Sequence, residues 1–166
     1  HGQKIENYAL QIFDAMKKFH GLGTRERLLL QIASILHDCG KFISLRDSSA
    51  CAYNIIMATE IIGLSHAERE IVAEVVRCNL DAFRYGEGSI RAGKLTAMLR
   101  LANAMDRSHK QKLHDCRLSV KEGQLLVTTT YGGDITLEAV AFAQKADFFE
   151  EIFGIRPVLK QKRRLS

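Results

Sequence analysis

The chain has 166 residues, of which 46% are hydrophobic and one is proline, which suits one compact domain with a small appendage. No apolar run approaches the roughly 18 residues of a membrane span, and the first ten residues lack the apolar segment of a signal peptide. A soluble, cytoplasmic protein with no membrane partner is therefore expected. The net charge of +5 and the basic end "LKQKRRLS" favour a polyanionic partner, although a solvated tail has the same composition. The four cysteines form no CxxC pair and are predicted to be reduced thiols.

The first predicted helix covers 3–19, where apolar residues recur at the i, i+3, i+4, i+7 spacing of one buried face. The segment "HGLG" interrupts it. Thr24 is predicted to cap a second helix, whose "RLLLQIASIL" is apolar on most of its surface, as expected of a helix in the middle of a bundle. This helix carries His37 and Asp38 at its carboxyl end.

Three more helices are predicted further along the chain. The third covers 50–62 and ends at Gly63, and the capping box "SHAE" opens a fourth that continues to about Leu80. The fifth covers "LTAMLRLANAMDRSH" after the glycine-containing loop "RYGEGS". Its inner face has five apolar residues: Leu95, Met98, Leu99, Ala102 and Met105. This succession of helices indicates a helical bundle.

The pattern changes near Asp115. The segment "RLSVKEGQLLVTTTY" alternates apolar and polar residues on both sides of Glu122-Gly123, which predicts a β-hairpin. The segment "LEAVAFAQKADFFEEIF" is again helical, and "IRPVLKQ" is extended because the residue before a proline is driven out of the helical region. The predicted fold is mainly α, with a helical domain at 1–114 and a small ββαβ subdomain at 115–166.

The stretch "ILHDCGKFI" places a histidine and an aspartate at a helix end, just before Gly40. Neighbouring helix positions point about 100° apart, so the pair can converge on one ion only where the helix ends. An imidazole and a carboxylate suit one divalent cation such as Mn, Fe, Zn, Ni or Mg, but two ligands are too few. The simpler alternative is a polar helix terminus, where the imidazole meets unpaired carbonyl groups and the aspartate caps a neighbouring segment.

Two further ligands are predicted from their positions. His1 precedes core Ile5 by one helical turn, and Asp106 interrupts the apolar face of the fifth helix, where an unpaired carboxylate is costly. His1, His37, Asp38 and Asp106 would form a four-ligand site with room for water, whose pKa a metal lowers while it polarises a phosphoryl oxygen. Lys41 is a candidate phosphate ligand. For Asp106-Arg107 the alternative is a buried ion pair. The remaining histidines are predicted to lie on the surface: His20, His66, His109 and His114.

The order His1, His37-Asp38, Asp106 resembles the H…HD…D signature of the HD superfamily of metal-dependent phosphohydrolases. The segments "ILHDCGKFIS", "SACAYNII", "LSHAEREIVAEVVR", "LRLANAMDRSHKQ" and "FFEEIFG" resemble the C-terminal region of the exopolyphosphatase and guanosine pentaphosphate phosphatase (Ppx/GppA) family. The resemblance extends from His1 to Leu159 and covers both the helical part and the ββαβ tail.

The resemblance implies an HD-like helical bundle that binds polyphosphate, pppGpp or a related phosphate-rich ligand and supports a homodimer. In that family an N-terminal pair of actin-like domains hydrolyses the substrate. Those domains are absent here, so the chain is expected to be a C-terminal fragment of a longer protein or a stand-alone relative, and catalysis by it alone is left open. Basic residues are candidates to line the phosphate path: Arg100, Arg107, Lys110, Lys112, Lys160, Lys162, Arg163 and Arg164.

The sequence also departs from the fuller HD pattern. Ala50 and Asn79 stand where the family writes histidines, so one metal ion rather than two is expected. Three hypotheses follow. The first is a polyanion-binding module of an exopolyphosphatase-type protein. The second is a one-metal phosphohydrolase acting on a phosphomonoester or nucleotide, in which His37 and Asp38 hold the reactive water. The third is a regulatory domain that keeps the HD shape without metal, in which Asp38→Ala would stabilise the fold.

Overall fold

The computed structural model describes residues 2–37, 48–58, 63–80 and 90–162. Within these ranges the protein is mainly α, as predicted, with one small sheet. The helices are α1 Gly2–Ala15, α2 Lys17–His20, α3 Thr24–Leu36, α4 Ser48–Ala58, α5 His66–Leu80, α6 Ile90–Met105 and α7 Thr136–Phe153. The strands are β1 Arg117–Lys121, β2 Gln124–Thr129 and β3 Arg156–Gln161. None of the described helices is long and apolar enough to cross a membrane.

The starts of α5 and α3 are both predicted from local sequence signals, and one of the two predictions needs correction. The Ser65 hydroxyl accepts a hydrogen bond from the Glu68 amide, and the Glu68 carboxylate accepts one from the Ser65 amide, both at 3.1 Å, so the predicted capping box opens α5. Thr24 does not cap α3. The cap is Gly23, whose amide donates to the Glu26 carboxylate at 3.0 Å, because Thr24 already has helical geometry.

Polar contacts between helices give their directions. Arg27 forms a two-pronged ion pair with Asp14, and the Gln31 amide donates to Glu6, so α3 runs antiparallel to α1. At the other end of α3, Arg91 forms an ion pair with Glu26 at 3.2 Å, which places the start of α6 beside the start of α3. The carboxyl end of α3 therefore lies beside the amino end of α1.

Helix α6 is the centre of the bundle. It packs against α1, α3, α5 and α7, and 11 of its 16 residues are buried, including all five predicted inner residues. The sequence placed α3 in the middle, and this is wrong. Helix α3 buries one face, while Ile35 on its other side is 52% exposed. Both α3 and α6 are rich in apolar residues, so composition does not show which one is central. The packing of other helices around α6 does.

The small subdomain is the predicted ββαβ unit. Strands β1 and β2 pair antiparallel through a two-residue turn in which Glu122 and Gly123 both have positive φ, 53° and 76°. Two positive φ values define the type I′ turn, whose twist matches that of the strands. Strand β3 pairs parallel with β2, and α7 makes the crossover between them. The core is continuous across the predicted boundary at 114/115, since α6 packs on α7.

Cys116 is a buried, free cysteine at the start of this subdomain. Burial, followed by the nearby Asp115 carboxylate, raises the pKa of its thiol to about 11. The thiol is therefore protonated near neutral pH and unreactive. Its free, reduced state agrees with the prediction for the cysteines. The side chains of Cys39, Cys51 and Cys78 lie outside the described part of the chain.

His20 is buried, which corrects its prediction as a surface residue, whereas His66, His109 and His114 are exposed as predicted. Its Nε2 donates to the Phe13 carbonyl at 3.0 Å, and its Nδ1 accepts from the Leu22 amide at 2.9 Å. Its own carbonyl accepts from Lys94 of α6 at 2.7 Å. One neutral imidazole on α2 therefore binds both α1 and the turn that precedes α3, while the backbone carbonyl of the same residue binds α6.

The stability of the fold should depend on pH through His20. Burial lowers the pKa of His20, because the charged ring loses its contact with water. A second ring proton would also break the hydrogen bond that Nδ1 accepts from the Leu22 amide. The unfolded chain takes up this proton near the ordinary pKa of about 6.5 and the folded chain does so only at lower pH. The contribution is therefore complete above pH 6.5 or so and is lost as the pH falls through the lowered pKa.

Denaturant unfolding at about pH 7.5 and about pH 5.5 measures this effect. The wild type should lose more unfolding free energy over that interval than His20→Gln, whatever the absolute stability of the variant. The control His114→Gln, at an exposed histidine, should keep the wild-type pH dependence. Equal losses in wild type and His20→Gln would contradict the assignment.

Candidate functional site

The structure describes three of the six predicted site residues. His37 and Asp106 are buried and Arg107 is exposed. His1, Asp38 and Lys41 lie outside the described residues, so their predicted roles as metal and phosphate ligands stay predictions. The contacts of α1 and α3 do place the amino end of α1, which follows His1 in the chain, beside the carboxyl end of α3, where His37 lies.

His37 follows the last residue of α3 and is completely buried. Its Nδ1 lies 2.7 Å from the Ser34 carbonyl, which can only accept, so Nδ1 carries the proton. In the neutral ring the lone pair is then on Nε2. This is the tautomer that a metal-ligating histidine uses when a backbone carbonyl orients the ring.

Asp106 follows the last residue of α6 and is 2% exposed. Its Oδ1 accepts the Gln111 amide at 2.9 Å, and its carbonyl accepts the His109 amide at 2.9 Å. The carboxylate thus terminates α6 and holds the following turn. The Asp106 carboxylate is held by the Gln111 backbone amide. The alternative prediction, a buried ion pair with Arg107, does not describe this contact, because Arg107 is exposed to solvent.

Tyr8 of α1 is close to Asp106. Burial, followed by the negative charge of Asp106, raises the pKa of Tyr8 well above its usual range. Its hydroxyl is buried and has no hydrogen-bond partner within the described part of the chain. Lys94, near the start of α6, binds the carbonyl of His20, which follows the carboxyl end of α1. Asp106, just after the end of α6, lies near Tyr8 in the first half of α1. Helix α6 therefore runs antiparallel to α1. The ends of α3 and α6 therefore point the same way.

A second buried carboxylate, Glu138, fixes the loop after α6. One of its oxygens accepts the Ser108 amide at 2.7 Å, and the other lies 3.8 Å from the Lys112 ammonium group. Lys112 also donates to the Asp134 carbonyl at 2.5 Å. The first turn of α7 is thus bound to the loop that begins with Asp106, and the position of Asp106 depends on the small subdomain.

Sequence reasoning missed Tyr8 and Glu138 as members of this environment. Tyr8 occurs at the helical spacing of the apolar residues of α1, which predicts a core residue, and its side chain is indeed buried in the core. Glu138 lies in the first turn of α7, where a glutamate is ordinarily exposed and interacts with the helix dipole. No local signal shows that it contacts a segment 30 residues earlier in the chain.

The arrangement can contribute a nitrogen and an oxygen ligand, both buried, at one end of the bundle. Within the described ranges, no three histidine, cysteine, aspartate or glutamate side chains lie together in a way that could hold a metal ion. Two of the four predicted ligands, His1 and Asp38, fall outside those ranges. A separate open cleft of about 350 Å³ is lined by polar side chains of α1, by Arg27 and by His114, and neither His37 nor Asp106 lines it.

The buried hydroxyl of Tyr8 leads to a stability prediction. Tyr8→Phe should raise the free energy of unfolding by about 1 kcal/mol, because it removes a buried polar group that has no partner among the described residues. The half-buried Tyr131 gives the control, and Tyr131→Phe should change stability by less than about 0.5 kcal/mol. Chemical denaturation measures both. Destabilisation by Tyr8→Phe would show instead that the hydroxyl is bonded to another group at this end of the bundle.

Comparison with known proteins identifies the family. The family model described as Ppx/GppA phosphatase, domain III, matches residues 1–131. The match covers α1 to α6 and the β1–β2 hairpin and ends before α7. No curated protein matches the sequence. Because the matched region is well over half of the chain, the protein belongs to the Ppx/GppA phosphatase family.

Proposed function

We propose that this chain is the HD-like C-terminal region of an exopolyphosphatase or pppGpp phosphatase-type protein, and that it binds polyphosphate or a related polyanion. The family match over residues 1–131 carries the proposal. The net charge of +5 supports it, since a chain of phosphates is held by many weak contacts with cations. In the first hypothesis catalysis belongs to another domain, and the fragment contributes binding.

The charged residues after α6 support a phosphate path beside the candidate site. Arg107 and Lys110 are exposed in the turn that follows the buried Asp106. Arg107 is a good phosphate ligand because its planar guanidinium group can donate two parallel hydrogen bonds. The Lys112 ammonium group donates to the Asp134 carbonyl and lies beside the Glu138 carboxylate. Because these groups already bind it, we no longer include Lys112 among the candidate phosphate ligands.

We also propose that the chain forms a homodimer. Leu137 and Val140 are one helical turn apart on α7 and are 57% and 54% exposed. Two adjacent large apolar side chains at the surface support a protein contact at this side of α7. A dimer would duplicate the cationic surface and strengthen the binding of a long polyanion through multivalency.

Binding of polyphosphate is testable by fluorescence anisotropy. We expect the affinity to fall steeply with rising salt, because binding releases counterions, and we expect little hydrolysis by this chain. Arg107→Gln should weaken binding several-fold, whereas Lys17→Gln, at an exposed lysine of α2, should not. Absence of polyphosphate binding at low salt would refute the proposal.

A second candidate function is a one-metal phosphohydrolase. The specific observation in its favour is the geometry of His37, whose Nδ1–H is held by the Ser34 carbonyl so that Nε2 has the lone pair. The buried Asp106 carboxylate fits the same role, and with His1 and Asp38 the donor set suits Mn, Fe, Zn, Ni or Mg. A bound divalent ion would supply Lewis acidity toward a phosphoryl oxygen. The protein side chains would position it and exclude bulk water.

Metal content tests this candidate independently of activity. Elemental mass spectrometry of protein purified without chelator should find about one divalent ion per chain, and Asp106→Asn should lose it. The asparagine can still accept the Gln111 amide, so the fold should survive. Asp147→Asn, at an 82% exposed carboxylate, is the matched control. If the wild type takes up no metal even after soaking with divalent ions, the site is a scaffold without a metal function.

A further inference from the structure

The outer face of the small sheet carries charged side chains that play no part in the candidate site. Residues directly opposite each other in paired strands share a face, and successive residues alternate between faces. Leu125 and Val127 of β2 are buried against the core, so their neighbours Gln124, Leu126 and Thr128 face outward. The strand register adds the rest of this face from the other two strands: Arg117, Ser119 and Lys121 of β1, and Arg156, Val158 and Lys160 of β3.

This outer face is cationic at its corners. Arg117 and Lys160 both flank Thr128, and Lys121 and Arg156 both flank Gln124. From the strand spacing, the cations of one row are about 10 Å apart, and the two rows are separated by about 13 Å along the strands. The centre of the rectangle is Leu126, flanked by Ser119 and Val158. None of the nine residues is acidic.

Three of the four corner cations are available to a ligand. The Arg156 guanidinium is engaged by Asp147 at 2.6 Å and lies 3.7 Å from Glu150. Arg117, Lys121 and Lys160 are exposed, and within the described part of the chain no carboxylate forms a salt bridge with them. Lys162, two residues after Lys160, is also exposed and adds a positive charge just beyond the end of β3.

The chemistry of the face distinguishes between polyanions. Sheet surfaces that bind single-stranded nucleic acid use aromatic side chains on which the bases stack. No aromatic residue is present among the nine, and the centre is small or aliphatic. A chain of phosphates without bases needs only spaced cations, which is what the face provides.

We propose that the outer face of the sheet is a docking surface for an extended inorganic polyphosphate chain, which contacts Arg117, Lys121 and Lys160. The inference rests on the proposed polyanion-binding function and assigns the contact to residues other than the buried His37 and Asp106. Binding here is electrostatic, so each lost cation lowers both the affinity and its dependence on salt.

A pair of double variants with equal loss of charge tests the proposal. In K121Q/K160Q both changes are on the outer face, and in K17Q/K18Q both are on exposed lysines of α2. Near 0.1 M salt, K121Q/K160Q should weaken polyphosphate binding at least about tenfold and lower the slope of log affinity against log salt by roughly 1.5. K17Q/K18Q should bind like the wild type. Circular dichroism and thermal unfolding confirm that both variants keep the fold.

The outcomes separate this inference from the proposed function. If the wild type binds polyphosphate and K121Q/K160Q binds equally well, the sheet surface is refuted and the proposed function stands. Equal weakening of both double variants would show an effect of net charge alone and would also refute the surface. If the wild type does not bind polyphosphate, both proposals fail. An oligothymidylate of matched charge should bind more weakly than polyphosphate, and tighter binding that depends on Lys121 and Lys160 would make nucleic acid the partner instead.

Discussion

The burial of α6 on nearly all sides is the constraint on which the rest of the structure depends. A helix with 11 of 16 residues buried cannot lie at a surface, so other elements must surround it, and α1, α3, α5 and α7 do so. Its last residue, Met105, is fully buried, and the chain must therefore emerge from the core through Asp106. A buried carboxylate at that point is tolerated because the Gln111 amide bonds to it. The candidate site is a consequence of where the central helix ends.

The small subdomain takes part in the same arrangement. Helix α7 packs along α6, and Glu138 in its first turn binds the Ser108 amide and lies near Lys112. Removal of one partner from such a buried charged group leaves the other unsatisfied, at a cost of several kcal/mol in similar cases, on the order of 3 to 5. The loop from Asp106 to Cys116 is therefore held between bundle and sheet. This coupling explains why the helical and ββαβ parts share one core.

Two groups of side chains with different chemistry, one buried and one exposed, result from this architecture. At one end of the bundle, His37 and Asp106 offer a buried nitrogen and oxygen near the amino end of α1. On the sheet, Arg117, Lys121 and Lys160 offer exposed, spaced cations. The first suits an ion that must be desolvated and held by a few directed ligands, and the second suits a long flexible anion held by many weak contacts. Both are compatible with membership of the Ppx/GppA phosphatase family.

The sequence by itself determined the features that depend on neighbours in the chain: the capping box of α5, the turn at Glu122-Gly123, the order of helices and strands, and the family through its motifs. It also predicted a buried aspartate within the fifth helix, since Asp106 interrupts the apolar face of that helix, whereas the structure ends α6 just before it. Only the tertiary structure decided which apolar helix is central, that His20 is buried and bound to α1 and α6, and that Glu138 binds a loop 30 residues away. The physical reason is that burial and partner choice depend on residues distant in sequence, whose approach is set by packing and not by local propensity.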